Sequence, residues 1–120
     1  MNEKDLHRLQ RIVEIGRKLE QTIRDKGITQ QQVEDDYTLQ WMLATPLHDI
    51  GEQVYRLSKE FKTDHPEVPW SGVAGVRHRI VHDYEGSNWD LLAHIIFIDV
   101  PPFINQVEHL INTVGILDNG

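Results

Sequence analysis

The sequence predicts an all-α fold: an up-and-down four-helix bundle with an additional short helix, carried as one domain over residues 1–120. Three observations predict it. Apolar residues recur at intervals of three and four through long segments of the chain. No segment shows the sustained alternation that a half-buried strand requires. The helical segments are separated by short breaks rich in glycine, proline or asparagine, the spacing of antiparallel neighbours in a bundle.

The first helix is expected over residues 4–26, where Leu6, Leu9, Val13, Gly16, Leu19 and Ile23 form one stripe and Gly27 supplies a stop. Thr29 and Gln32 have capping-box spacing and predict the short extra helix. The second long helix is the clearest element. Leu39, Leu43, Leu47, Ile50, Val54, Leu57 and Phe61 alternate steps of four and three, a seam suited to bundle packing. Pro46 lies inside it and should kink it or split off its first turn, because proline has no backbone donor.

Two prolines mark Asp64-His65-Pro66-Glu67-Val68-Pro69-Trp70 as a connection. Pro69 or Trp70 then opens a third helix that runs to a break at Gly86-Ser87-Asn88. Ser87 and Asp90 have capping-box spacing for a fourth helix, which carries Leu92, Ile95, Ile96, Phe103, Val107, Leu110 and Ile111 and should bend at Pro101-Pro102.

Composition narrows the function classes. The formal net charge is -7. A protein that binds nucleic acid by bulk electrostatics is basic, so any such contact here has to be local. With no cysteine, the chain has no disulfide, thiol nucleophile or thiolate metal site. The opening residues are charged and lack the apolar core of a secretory signal, and no stretch approaches the roughly 18 apolar residues of a membrane span. The expectation is a cytoplasmic protein.

The chemistry concentrates in Arg77-His78-Arg79-Ile80-Val81-His82-Asp83-Tyr84. Each residue turns a helix by about 100°. His78 and His82 therefore share a face, and Arg77 and Tyr84 share another, near Val73 and Ile80. Arg77 and His82 lie about 140° apart around the axis. They converge on one small group only if the helix ends near His82, if the long arginine reaches across, or if a second copy of the chain completes the site. The residue types suit metal-free RNA cleavage. The ribose 2′-hydroxyl attacks the adjacent phosphate, a histidine takes its proton near neutral pH, and an arginine fork holds the charge that develops on the phosphoryl oxygens. Against this stand two plainer readings: a solvated helix face, and a metal pair formed by His78 and His82 at i, i+4 spacing. The metal reading lacks the glutamate that follows the first histidine in zinc proteases, and Arg77 and Arg79 would oppose a dication.

Arg77-x-x-x-x-His82-x-Tyr84 resembles the R-x4-H-x-Y motif of the HepT-like toxins, a branch of the HEPN superfamily of helical ribonucleases. Ile50-Gly51-Glu52, Arg56-Leu57-Ser58-Lys59-Glu60-Phe61 and His65-Pro66-Glu67-Val68-Pro69-Trp70 resemble that family's second helix and the connection after it. The likeness covers roughly residues 39–111. It implies a HEPN-like dimeric bundle acting as a metal-independent endoribonuclease toxin that needs no cofactor. Arg77 and His82 would be the catalytic pair, with His78 in support. The implied partners are RNA, a second copy of the chain, and an MNT-type nucleotidyltransferase antitoxin that transfers AMP from ATP to Tyr84. No membrane contact is implied, and DNA contact is reserved for a toxin–antitoxin complex. An adenylate on Tyr84 would add bulk and negative charge beside His82 and oppose phosphate entry. The chain departs from the family pattern at His78, where relatives often have asparagine, at Pro46 and at Glu85. The alternative function is a non-catalytic HEPN module that binds a nucleotide or tethers a nucleotidyltransferase.

Glu52 stands one step from the apolar seam and is a candidate to order Arg77 or His82 through an ion pair. Arg56, Lys59 and Arg79 are candidate contacts to the RNA backbone. Trp70 is expected as a hydrophobic anchor of the third helix, and Trp41 and Trp89 as core or dimer-interface residues.

Overall fold

A computed structural model describes the backbone of residues 1–83 and 88–119 and the side chains of residues 1–80 and 88–113. Helix α1 spans Glu3–Lys26, α2 Gln30–Asp35, α3 Tyr37–Arg56, α4 Lys59–Asp64 and α5 Trp70–Asp83. Helix α6, Trp89–His94, runs through a π-helical turn at Ile95–Asp99 into α7, Val100–Asn119. No strand occurs among the described residues. Helix α3 packs against both α1 and α5, and α1 packs on α7, so α3 and α1 form the centre of an all-helical bundle. No helix among the described residues is long and apolar enough to cross a membrane.

Local chemistry sets most of the boundaries. The Asn2 side chain accepts the Asp5 N–H at 2.7 Å and starts α1, with Glu3 and Asp5 favourably placed at the positive end of the helix dipole. Gly27 ends α1 at φ 61°, a left-handed conformation that glycine adopts without a Cβ clash. The Ile28 N–H then reaches back to the Ile23 carbonyl at 3.0 Å, closing the helix end. The expected capping box is present in both directions: the Gln32 N–H donates to Thr29 Oγ1 at 3.2 Å, and the Thr29 N–H donates to Gln32 Oε1 at 3.0 Å.

Four expectations need correction. First, the stripe on α1 is rotated by about one residue: Ile12 and Ile15 are in the core, while Leu6 and Val13 are only half-buried. Buried Asp5 on the same face demands polar partners and helps fix this rotation. Second, the second long helix does not continue to Phe61. It ends at Arg56, and Ser58 caps a separate helix by accepting the Phe61 N–H on its hydroxyl oxygen at 3.1 Å. Asp5 enforces the break, accepting the Ser58 N–H at 2.9 Å and the Ser58 hydroxyl at 2.6 Å. Lys62 then donates to the Val54 and Tyr55 carbonyls at the end of α3, the Val54 carbonyl also accepting the Leu57 N–H at 3.2 Å. The periodicity survives the break because Leu57 and Phe61 are buried on either side of it.

Third, of the two outcomes expected at Pro46, the split does not occur: α3 runs from Tyr37 to Arg56 with the proline inside it. Fourth, the irregularity expected at Pro101-Pro102 is a π-helical turn just before them. The Val100 N–H bonds to the carbonyl of Ile95, five residues back, and the wider turn makes room for rings that would crowd the preceding turn of a regular helix. The break residues Gly86 and Ser87 lie outside the described residues. The following helix has Asn88 at its N-cap, with no side-chain capping bond.

Trp70 is the expected anchor. It is buried, its indole N–H donates to the His65 carbonyl at 2.8 Å, and its ring lies 5.7 Å from Phe61 and 6.0 Å from Phe103. The start of α5 is thereby fixed to both α4 and α7. Trp89 is in the core, but Trp41 is 57% exposed and is not a core residue.

Candidate functional site

Arg77 sits where α5 crosses closest to α3, and Gly51 makes that approach possible. A Cβ on Gly51 would lie 3.0 Å from the Arg77 backbone nitrogen, 3.1 Å from the Arg77 Cβ and 3.2 Å from the Val73 carbonyl oxygen. Any side chain at this position would force α5 back by a few tenths of an ångström. The contact is held by Val76 and Ile80, buried on the inward face of α5, and by Ile50 and Val54 on α3.

The same approach brings Arg77 over the last turns of α3. Its Nη1 lies 3.5 Å from Glu52 Oε2, and its guanidinium carbon lies 3.8 Å from the centre of the Tyr55 ring, a cation–π distance. Glu52 also accepts from Arg56 Nε at 2.8 Å. Glu52, Tyr55 and Arg56 fall at i, i+3 and i+4 and so share one face of α3, which turns this helix end into a receptor for the arginine of α5. The Arg56 hydrogen bond is the main cause that holds the Glu52 carboxyl below the ordinary glutamate range. Partial burial pushes the other way, and the charges of Arg56, Arg77 and His48 add to the lowering. Glu52 is therefore an anion at neutral pH and holds the Arg77 side chain electrostatically, while the Tyr55 ring supports the guanidinium from one side.

The other candidate residues separate around this corner. His78 and Arg79 are exposed on α5. Lys59 borders a shallow hollow of about 430 Å³ with Lys62, Ser71 and Trp70, beside the start of α5. The backbone of His82 lies in α5, and its side chain is outside the described ones. Tyr84 lies outside the described residues. Because α5 runs through Asp83, the helix does not end before His82, and about 140° still separates it from Arg77 around the axis. Among the described residues, no group of three or more acidic or histidine side chains has the arrangement of a metal site.

The sequence reading missed Tyr55 and the steric role of Gly51. Tyr55 stands three residues after Glu52, so helical spacing from that candidate would have found it. Nothing local to Gly51 distinguishes it from Gly72 or Gly75, where an added Cβ would meet nothing within 4 Å.

An all-α bundle with an arginine clamped between an acid and an aromatic ring, five residues before a histidine, is a HEPN-like architecture. A family model described as ribonuclease HepT-like matches residues 3–110, and the chain belongs to that family. It is similar to a candidate RNase of Caldanaerobacter subterraneus subsp. tengcongensis, 34% identical over 73% of this chain and 79% of the relative. It is also similar to a candidate RNase of Methanocaldococcus jannaschii, 33% identical over 66% of this chain and 65% of the relative. A candidate ribonuclease HepT of Thermococcus cleftensis is 31% identical over 62% of this chain and 68% of the relative. No solved structure gives a match.

Proposed function

We propose that this protein is a metal-independent endoribonuclease, the toxin of a toxin–antitoxin pair. The observation that carries the reading is the clamped Arg77. It occupies the arginine position of the family motif, five residues before His82, and is oriented by Glu52 and Tyr55 rather than left to sample solvent. In the proposed reaction the RNA 2′-hydroxyl gives its proton to a base, the 2′-oxygen attacks the adjacent phosphorus, and the bond to the 5′-oxygen breaks as that oxygen takes a proton. The products are a 2′,3′-cyclic phosphate and a 5′-hydroxyl. His82 moves the proton, Arg77 stabilises the charge on the phosphoryl oxygens, and His78 supports either role. The nucleophile belongs to the substrate and the charge is met by arginine, so the chemistry calls for no metal ion.

The last described residue of α5 is Asp83, one past His82, so two routes to a closed site stand: the long arginine reaching across this helix end, or a second copy of the chain. In a two-fold dimer each chain can offer His82 toward the partner's arginine without either helix unwinding. Arg56, Lys59 and Arg79 extend the cationic surface along which an RNA backbone would run. A partner nucleotidyltransferase of the MNT type silences the site by placing AMP on Tyr84, two residues from His82, where its charge repels the substrate phosphate.

The test is cleavage of RNA by the purified protein and by Arg77→Ala and His82→Ala, with folding checked by circular dichroism. Loss of cleavage in both folded variants is expected, and full cleavage by either would overturn the assignment. A folded wild-type protein that cleaves no RNA but captures the nucleotidyltransferase would instead be a binding module. Incubation with that partner and ATP should add the mass of one or more adenylates at Tyr84, and an unmodified Tyr84 would overturn the proposed off-switch.

A further inference from the structure

Tyr55 has two faces in different circumstances. One lies under the Arg77 guanidinium at 3.8 Å. The residue is nevertheless 56% exposed, and a ring with one face covered keeps that much surface only if the other face and edge are open to solvent. That open face has no role in the core. Arg77 gives one nitrogen to Glu52, and a guanidinium carries five N–H donors in one plane, so among the described side chains its other donors remain for phosphate oxygens. The ring and that edge together present an aromatic plane and a phosphate fork side by side, the pair of features that holds one unpaired nucleotide.

We propose that Tyr55 is the base platform of this site: its Arg77-bearing face fixes the arginine, and its open face stacks the base of the nucleotide whose phosphate Arg77 engages. The inference rests on the ribonuclease reading and gives it a substrate class, RNA that is single-stranded at the cleavage point, because a paired base has no free face to offer. Tyr55 is a positioning residue through Arg77 and a binding residue through the base. Stacking is tolerant of base identity, so the platform selects for an unpaired nucleotide rather than for a sequence.

The experiment measures kcat and KM for Tyr55→Ala and Tyr55→Phe on a single-stranded RNA, and on the same RNA with an abasic nucleotide beside the cleaved bond. Tyr55→Ala should raise KM about tenfold, the size of one lost base stack. It should lower kcat as well, because Arg77 loses its support. Tyr55→Phe, which keeps the ring, should restore most of the loss. The abasic substitution should raise KM in the wild type and add little to Tyr55→Ala, since both remove the same contact. An abasic penalty of equal size in the two proteins overturns the proposal. So does a Tyr55→Ala effect explained entirely by a shift from dimer to monomer in sedimentation, which would make Tyr55 an interface residue. If the wild type cleaves no RNA, the ribonuclease reading fails on its own, and the platform is tested by binding. A Tyr55→Trp variant should then lose tryptophan emission on titration with an uncleavable 2′-O-methyl oligonucleotide, beyond any loss shown by the wild type, and no added quenching overturns it.

Discussion

Gly51→Ala tests the helix contact beneath Arg77 most directly. The added methyl would meet the Arg77 backbone nitrogen at 3.0 Å, its Cβ at 3.1 Å and the Val73 carbonyl oxygen at 3.2 Å. Two of these three atoms are backbone of α5 and cannot rotate aside. Ordinary contact begins near 3.5 Å, so α3 and α5 must part by about 0.5 Å at this point. Overpacking of this kind costs about 1–3 kcal/mol, and replacing glycine by alanine inside a helix returns about 1 kcal/mol. The net expectation is a loss of about 1 kcal/mol, or a fall of roughly 4 °C in Tm for a chain of this size. Gly75→Ala is the control: it lies inside α5, its Cβ would meet nothing within 4 Å, and it should raise Tm by a similar amount. Misplacing a reacting group by 1 Å costs on the order of a hundredfold in rate, so Gly51→Ala should also lower kcat/KM about tenfold. Thermal denaturation followed by circular dichroism reads the first effect and cleavage of a fluorescent RNA the second. If Gly51→Ala melts at or above the wild-type temperature and cleaves at the wild-type rate, the two helices are not in steric contact at Arg77, and the account of how the arginine is placed is wrong.

Other expectations follow from the same contacts. Asp5→Ala removes the acceptor of the part-buried Ser58 N–H and hydroxyl and should cost about 1–3 kcal/mol in urea denaturation, whereas an unchanged midpoint would show that Asp5 does not fasten the α3–α4 break. Glu52 has a depressed folded-state pKa, so its contribution is present above its unfolded-state value and is lost as pH falls through the lower folded value. Stability should decline across the acid side of the glutamate range, and Glu52→Gln should flatten that part of the profile; identical acid limbs would remove Glu52 from the clamp. Arg77→Lys keeps the charge but loses the planar fork and its stacking on Tyr55, and should lower kcat by about a hundredfold, with wild-type turnover counting against bidentate phosphate contact. Cleavage should survive EDTA, and activity that is lost on chelation and restored by zinc would sink the metal-free mechanism.

Much of this was open to reading along the chain because the forces involved are local. The stop at Gly27, the Thr29–Gln32 capping box and the opening of α5 at Trp70 each depend on residues within one turn of one another. The motif from Arg77 to His82 is likewise contiguous, and Glu52 was accessible from its place beside the apolar seam. The break at Ser58 was not, because an uninterrupted heptad seam from Leu39 to Phe61 conceals it. What ends α3 is Asp5, 53 residues earlier in the chain, buried where it must find donors. Tyr55 is intermediate: its place three residues after Glu52 is local, but its contact is with an arginine 22 residues further on.

Neighbouring residues alone make this chain helical and set the ends of α1 and the starts of α2 and α5, since helical periodicity and capping act between neighbours along the backbone. Only the tertiary structure decided that α3 stops at Arg56, that Gly51 lets α5 press against it, and that Arg77 is clamped between Glu52 and Tyr55. Those outcomes depend on which faces meet once the apolar stripes are buried together, and that pairing of distant surfaces is written in no single segment.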